Sequence, residues 1–446
     1  MVVLLLALNA AVLAQPASTP EVADGAKVLL PALASPAAPA PAQPEAPAVD
    51  GPTEATDPLV GPAPQPTATE APAPAPAEVA TDAPVFPSRI KGVWVHLLDD
   101  VLLSRASIER ALDTIVAGGG NTIVVQVARR HDAYYDSAFL PRATVAGFEP
   151  GLDVLAEVIA GAAPRGLSVH AWFTAMPAWT PESGRQPQHL NWTFTEHGRD
   201  APLEQSWLTY DSAGQPTDYL DPGHPEVQDL IVATAVELAR YDVDAVHVDY
   251  LRYPGADSGY NPTAIGRFQA ETGRTDVPPP DDPQFSDWRR LQTTEVLRRM
   301  NAGMAAVNPS VGLSAALIAW GDGPVGGRAF ESTPAYTQVF QPWPQWMAEG
   351  LIDVAMPMLY FRESRHASYY RNWMSYVAGV RQATGVLTAP GQGSWLNAVD
   401  QSLAQLTEAA PFVDGEVLFS YQESAAGQGP EALLGALGQT LWQPAQ

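Results

Sequence analysis

The chain has 446 residues, 46% of them hydrophobic, and a formal net charge of −25. So acidic a field repels phosphate backbones and anionic lipid surfaces, which argues against a nucleic-acid partner and against membrane adhesion. Cysteine is absent, so disulfides, thiolate metal sites, a cysteine nucleophile and a lipidated N-terminal cysteine are excluded, although a core this large can tolerate export without disulfides.

Residues 1–14 (MVVLLLALNAAVLA) form one apolar run ending in a small residue, where a signal peptidase would cut. The run is too short to span a bilayer comfortably and reads as a signal-peptide core, although no Lys or Arg precedes it. Export to the periplasm, cell envelope or medium is expected. Membrane contact is expected only through this segment if it stays uncleaved. Residues 15–84 are rich in Pro and Ala and poor in large apolar side chains, which predicts a disordered, semi-extended tether. Its polyproline II reach is at most about 200 Å.

Residues 85–446 are expected to form one domain, because short apolar runs alternate there with helical patterns. The runs are 90–96 (IKGVWVH), 121–127 (NTIVVQV), 167–174 (LSVHAWFT), 244–250 (DAVHVDY), 311–318 (VGLSAALI), 352–360 (IDVAMPMLY), 385–390 (GVLTAP) and 415–422 (GEVLFSYQ). Helical spacing follows at 104–118, 151–165, 225–241, 287–308, 336–350, 366–384, 397–410 and 431–441. Continuous apolar strands alternating with helices imply parallel pairing, and eight such units close into a (β/α)8 TIM barrel. An open doubly wound sheet is the alternative. It is disfavoured because no glycine-rich phosphate loop follows the first run.

In such a barrel, reactive side chains sit at the C-terminal strand ends. In chain order these are Trp94 and His96; Gln126 with Arg129, Arg130, His131 and Asp132; His170, Trp172 and Thr174; His247, Asp249, Tyr250, Arg252 and Tyr253; Trp320 and Asp322; Tyr360, Arg362 and Glu363; Gln392 and Trp395; Tyr421, Gln422 and Glu423. The set is aromatic, amide and carboxylate, which suits a polysaccharide: rings stack on sugar faces and polar groups satisfy hydroxyls. Core packing is the alternative for any one aromatic, and Trp94 and Trp172 are placed to fill the barrel. Glycosidic cleavage needs two carboxyl groups flanking the bond.

Asp249 is the sharpest candidate, because a lone acid in an apolar strand is costly to bury. Arg252, three residues on, would hold it ionised as a nucleophile requires; a structural Asp–Arg pair is the alternative. Glu363 and Glu423 lie closest to their strand ends and are the candidates for the second carboxyl, ahead of Asp322 and Glu331. Asp353 begins its strand and belongs to the bottom of the barrel. Asp221, just before a helix, reads as a turn or cap residue that also has access to a ligand. His96, His170 and His247 on separate strands would suit a metal-dependent amino-sugar deacetylase. The close-set His-x-His such barrels use is absent, so neither metal nor cofactor is expected.

Several blocks resemble, in order, the bacterial glycosyl-hydrolase-like barrels of family ten. They are IKGVWVH; NTIVVQVARRHDAYYDSAFLP with Asp132, Ala133, Tyr135 and Ser137; the stretch ending in VHVDYLRYP; MPMLYF; and APGQGSW. The resemblance covers about residues 89–425 and implies a TIM barrel acting on O-glycosidic bonds, with relatives that cut peptidoglycan glycan strands, including peptide-free ones. It assigns Asp249 to the acid ending the fourth strand. Tyr250 stands where many relatives have a second Asp, and Ala128 where many have Arg. A non-catalytic glycan-binding barrel is the rival reading. Sugar, linkage and oligomeric state are not legible.

Overall fold

A computed structural model describes residues 83–97, 100–178, 196–199 and 201–443. The expected leader, and all but the last two residues of the expected tether, lie outside the described residues.

Eight parallel strands form the barrel: β1 (Ile90–Val95), β2 (Thr122–Arg129), β3 (Ser168–Thr174), β4 (Ala245–Asp249), β5 (Gly312–Ile318), β6 (Val354–Leu359), β7 in two pieces (Leu387–Thr388 and Gly391–Gly393) and β8 (Gly415–Phe419). Each pairs with the next, and β8 returns to β1 with Ile90 opposite Gly415 and Val93 opposite Leu418, closing the sheet. The outer layer holds α1 (Arg105–Ala117), α2 (Val154–Ala162), α3 (Pro225–Leu238), α4 (Pro262–Thr272), α5 (Pro283–Val307), α6 (Trp343–Ala348), α7 (Glu363–Thr384), α8 (Val399–Ala409) and α9 (Glu431–Gly438).

Three departures from the sequence reading have local causes. Helix α5 starts four residues earlier than expected, because Asp282 caps it by accepting from the Phe285 amide and Pro283 suits the first turn. The expected 336–350 helix contracts to α6, since Phe340 is left-handed (φ +53°) and Pro342 removes a donor. Helix α4 was not expected; Asn261 caps its start, Pro262 opens it and Gly273 ends it at φ +73°. The β3–α3 connection also carries an antiparallel hairpin, Leu208–Tyr210 against Pro216–Leu220.

The barrel interior is filled by Ile90, Trp94, Val124, Trp172, Val354, Met356, Ala389 and Val417, with Phe86 packed against them. Phe86 also lies against His170 (5.7 Å between rings) and against Gly312, where a Cβ would meet its ring. A larger apolar layer fills the space between strands and helices.

The N-terminal ends of the strands carry a repeated clasp. Asn121, Asp244, Asp353 and Asp414 each precede an even-numbered strand. Their amides donate to the carbonyls of Lys91, Val169, Leu313 and Thr388 on the preceding odd-numbered strand. Their side-chain oxygens accept from the amides of those same four residues, at 2.8, 2.7, 2.7 and 3.0 Å. The barrel bottom is therefore fastened four times, once per pair of strands, and Asp353 is one of the clasps.

Candidate active site

Asp249 is the last residue of β4, opposite Thr174 at the end of β3. Its side chain is 6% exposed. Desolvation pushes its pKa up to about 6, while Arg252, the Tyr250 amide and the Trp172 indole N–H pull the other way. Tyr250 turns left-handed (φ +58°), and its N–H donates back to Asp249 Oδ1 at 2.7 Å. A non-glycine residue held in that region is a local strain of the kind that clusters at working sites. Burial thus opposes the Arg252 charge at this carboxyl.

Arg252 is itself only 4% exposed. Its guanidinium lies over the Tyr250 ring (4.4 Å) and near the Trp320 ring (5.2 Å). It forms no ion pair among the described residues, and its Nε has no hydrogen-bond partner. Tyr219 stands beside both Tyr250, with ring centroids 6.2 Å apart, and Arg252.

A second aromatic group stands at the ends of β6, β7 and β8. Tyr360 meets Trp395 at 5.1 Å and Phe419 at 5.4 Å, and Trp395 meets Phe419 at 5.5 Å. Tyr250, Trp320, Tyr360 and Trp395 are partly exposed, as stacking platforms must be. Phe419 and Tyr219 escaped the sequence reading. Phe419 is the terminal residue of β8 on the same alternating face as Val417, a signal that was available. Tyr219 arrives on the inserted hairpin, which no strand run foretold. Tyr421 is buried in a short turn behind this group.

Beneath the cleft lie groups that the sequence suggested as ligand contacts. Trp94 and Trp172 are buried barrel fillers. The Trp94 indole approaches His247 Nε2 at 3.3 Å, and the Nδ1 atoms of His247 and His170 each lie 2.9 Å from Ser314 Oγ. An indole can only donate, so His247 accepts at Nε2 and carries its proton on Nδ1. His170 and His247 are therefore joined inside the barrel rather than lining its opening. His96 is also buried, and burial with the nearby Arg129 charge lowers its pKa to about 3. Arg129 acts on Tyr250 too, which places it beside the cleft. Gln126 is a brace: its side-chain oxygen accepts from the Leu97 amide at 3.0 Å.

Four expected site residues are engaged elsewhere. Gln392 points to the helix layer, donating to Ser402 Oγ and Gln405 Oε1, because its neighbours Gly391 and Gly393 take the inward positions against Trp94 and Tyr360. Asp221 is fully buried beside the hairpin and accepts from the Gly223 amide at 2.8 Å; burial raises its pKa to about 6. Glu363 pairs with Arg371 at 3.1 Å and accepts from Gln405 Nε2 at 2.9 Å. Glu423 accepts from the Gly427 amide at 3.0 Å through Oε1.

Residues 89–391 match the family described as Glycosyl hydrolase-like 10. The chain belongs to that family. Glycosyl hydrolase YngK of Bacillus subtilis is 28% identical over 276 residues, covering 58% of this chain and 50% of YngK. Glycosyl hydrolase DigH of Escherichia coli is 28% identical over 289 residues, covering 60% of this chain and 62% of DigH. The chain thus aligns with less than two thirds of either relative. Among solved structures, the glycoside hydrolase domain of PgaB (BpsB) from Bordetella bronchiseptica covers 78% of this chain and 99% of itself (TM-score 0.52, 15% identity). The catalytic domain of the β-amylase from Paenibacillus polymyxa covers 80% and 99% (TM-score 0.56, 14% identity). Both share the barrel fold.

In this glycosyl hydrolase-like chain, the block with Tyr135 and Ser137 serves the scaffold. Both hydroxyls donate to Glu237 Oε2 on α3, at 2.8 and 2.7 Å, and the Ala138 amide donates to Oε1.

Proposed function

We propose that this chain is an exported glycoside hydrolase that cleaves O-glycosidic bonds of a cell-envelope polysaccharide, peptidoglycan glycan strands first. The observation that carries the reading is Asp249: a buried carboxyl with a pKa near 6, at a barrel strand end, beside two partly exposed aromatic groups. An acid so tuned gives and takes a proton near neutral pH. Asp249 then protonates the leaving glycosidic oxygen, the reverse of the nucleophile role expected from Arg252 alone. Glu423 supplies the second carboxyl, which attacks the anomeric carbon or activates water. It is preferred to Glu363, whose two oxygens are held by Arg371 and Gln405, whereas among the described residues Glu423 is engaged through Oε1 alone. Family membership supports a carbohydrate substrate. The apolar segment 1–14 supports export, and the peptidoglycan assignment follows the sequence resemblance.

A non-catalytic glycan-binding barrel is the second reading. It is favoured by the bonds that already engage both candidate partner acids, Glu363 with Arg371 and Gln405 on the helix layer and Glu423 with the Gly427 amide of its own loop.

The test is sugar release from purified peptidoglycan, intact and peptide-stripped, by the full chain and its Asp249→Asn form. Fragments from the parent alone are expected. Equal release by both forms would remove Asp249 from the mechanism, and binding without release by either would favour the second reading.

A further inference from the structure

Arg252 presents a physical problem that the proposed cleavage does not use. A guanidinium is charged at every accessible pH, and burying one without a counter-charge is costly. Structural arginines of this fold solve the problem visibly. Arg289, equally buried, donates to the carbonyls of Ala256, Ser258 and Pro280. Arg381 and Arg89, which are only partly buried, pair with Asp414 and Glu416. Arg252 is served more thinly: it has two aromatic faces, the neutral Tyr219 hydroxyl, and a neighbouring carboxyl, Asp249, with which it makes no ion pair among the described residues.

The electrostatics around it point the same way. Tyr250 feels two guanidinium groups, Arg252 and Arg129, against the single carboxyl of Asp249. Asp218, the next acid near Tyr219, is already paired with Arg199 at 2.6 Å. A chain of net charge −25 therefore keeps a buried guanidinium, Arg252, beside its candidate acid. An anionic ligand approaching so acidic a protein needs such a dedicated cation.

We propose that Arg252 is the receptor for a carboxylate carried by the bound sugar, so that the cleft prefers an acidic glycan to its neutral counterpart. The planar fork of an arginine matches a carboxylate bidentately, and Tyr250 and Trp320 hold the fork flat before the ligand arrives. Two kinds of sugar carry such a group: a muramic acid with a free lactyl carboxylate, and a hexuronate with the carboxylate on its ring. This proposal rests on reading the cleft as a glycan site, and not on cleavage.

The experiment is equilibrium binding of the full chain to four probes: a peptide-free, muramic-acid-containing oligosaccharide, the same oligosaccharide with its lactyl carboxyl amidated, an oligoglucuronate, and its methyl ester. The expected result is at least roughly tenfold tighter binding of one acid form than of its capped form. That preference should collapse in Arg252→Gln and be partly kept in Arg252→Lys. The series that shows the preference identifies the source of the carboxylate. Equal affinity for acid and capped forms in both series would overturn the proposal while leaving the glycan site intact. Failure to bind any of the four would overturn both. The parent comparison alone decides the matter if the variants fold poorly.

Discussion

The two ends of the barrel solve opposite problems. At the bottom, four polar residues enter four strands, and each is satisfied twice, by its own amide and by its side chain. At the top, the end of β4 and its surroundings hold a buried acid, a left-handed Tyr250, and buried polar atoms without hydrogen-bond partners among the described residues at Thr174 Oγ1 and Arg252 Nε. The contrast holds between the four clasps and the end of β4, although one buried hydroxyl at the bottom, Ser168 Oγ, is also unmatched. Buried polar groups left unmatched cost free energy and persist where they serve another end.

The largest break in that comparison should come from Asp249→Asn. Turnover should fall by at least about 10³-fold, as expected for loss of an acid–base group and its charge, while the fold gains stability. The sign follows from linkage: a carboxyl whose folded pKa is raised from 3.8 to about 6 destabilises the fold above pH 6, and that cost fades as pH drops toward 4. Asparagine removes a cost on the order of 3 kcal/mol. Thermal melts should show the variant melting higher at pH 7 and level with the parent near pH 4. A variant that melts lower at pH 7 would mean that Asp249 is a structural partner of Arg252. Glu423→Gln should also abolish turnover, without any such gain in stability.

Why the architecture was readable and the site only partly so follows from which forces act locally. Eight apolar runs and their intervening helices announce a parallel barrel because burial on both faces leaves a mark on every strand. The clasps were also half visible: NTIVVQV, DAVHVDY and IDVAMPMLY each place Asn or Asp at a strand entry. Only Asp353 was set at the bottom from its position alone. Gln392 failed because strand alternation is counted from whichever residues point inward. The small Gly391 and Gly393 were overlooked as the inward pair, though a bulky Trp94 needs small neighbours. The interior histidines were misplaced because their shared partner, Ser314, is distant in sequence, while Asp221 keeps the turn role read for it by accepting from the Gly223 amide. Asp249 was conspicuous because a carboxyl in an apolar strand is anomalous without any knowledge of its neighbours.

Acid should then separate the two ends by temperature. Burial lowers the pKa of His96 and His170 to about 3, and that of His131 and His224 to about 4. An unfolded chain would protonate these near pH 6.5 while the fold keeps them neutral, so their contribution is complete above pH 6.5 and is lost as pH falls toward 4. Asp221 and Asp249, with raised pKa values, act in the opposite direction between pH 6 and 4. Four histidines with larger shifts outweigh two acids, so net stability should drop by roughly 2 kcal/mol or more from pH 7 to 4.5. Melting temperatures flat across that range would contradict the buried, neutral histidines.

Removing one clasp should have a smaller and purely structural effect. Asp353→Ala leaves the Leu313 amide without its 2.7 Å acceptor and should destabilise by about 1–3 kcal/mol. The folded fraction should keep the parent's turnover. Loss of turnover per folded molecule would show that the two ends communicate.

The smallest effect, and the sharpest on the site, is expected at Glu363. Its carboxylate serves Arg371 and Gln405 on the helix layer, with a 22% exposed side chain. Glu363→Gln keeps the shape and one acceptor oxygen, so it should cost well under about 1 kcal/mol, the range of a partly exposed ion pair. Turnover should stay within about threefold of the parent. A loss as deep as that of Asp249→Asn would transfer the second carboxyl from Glu423 to Glu363. It would then follow that the Arg371 pair opens when substrate binds, since an acid held by a guanidinium cannot also serve the glycosidic bond.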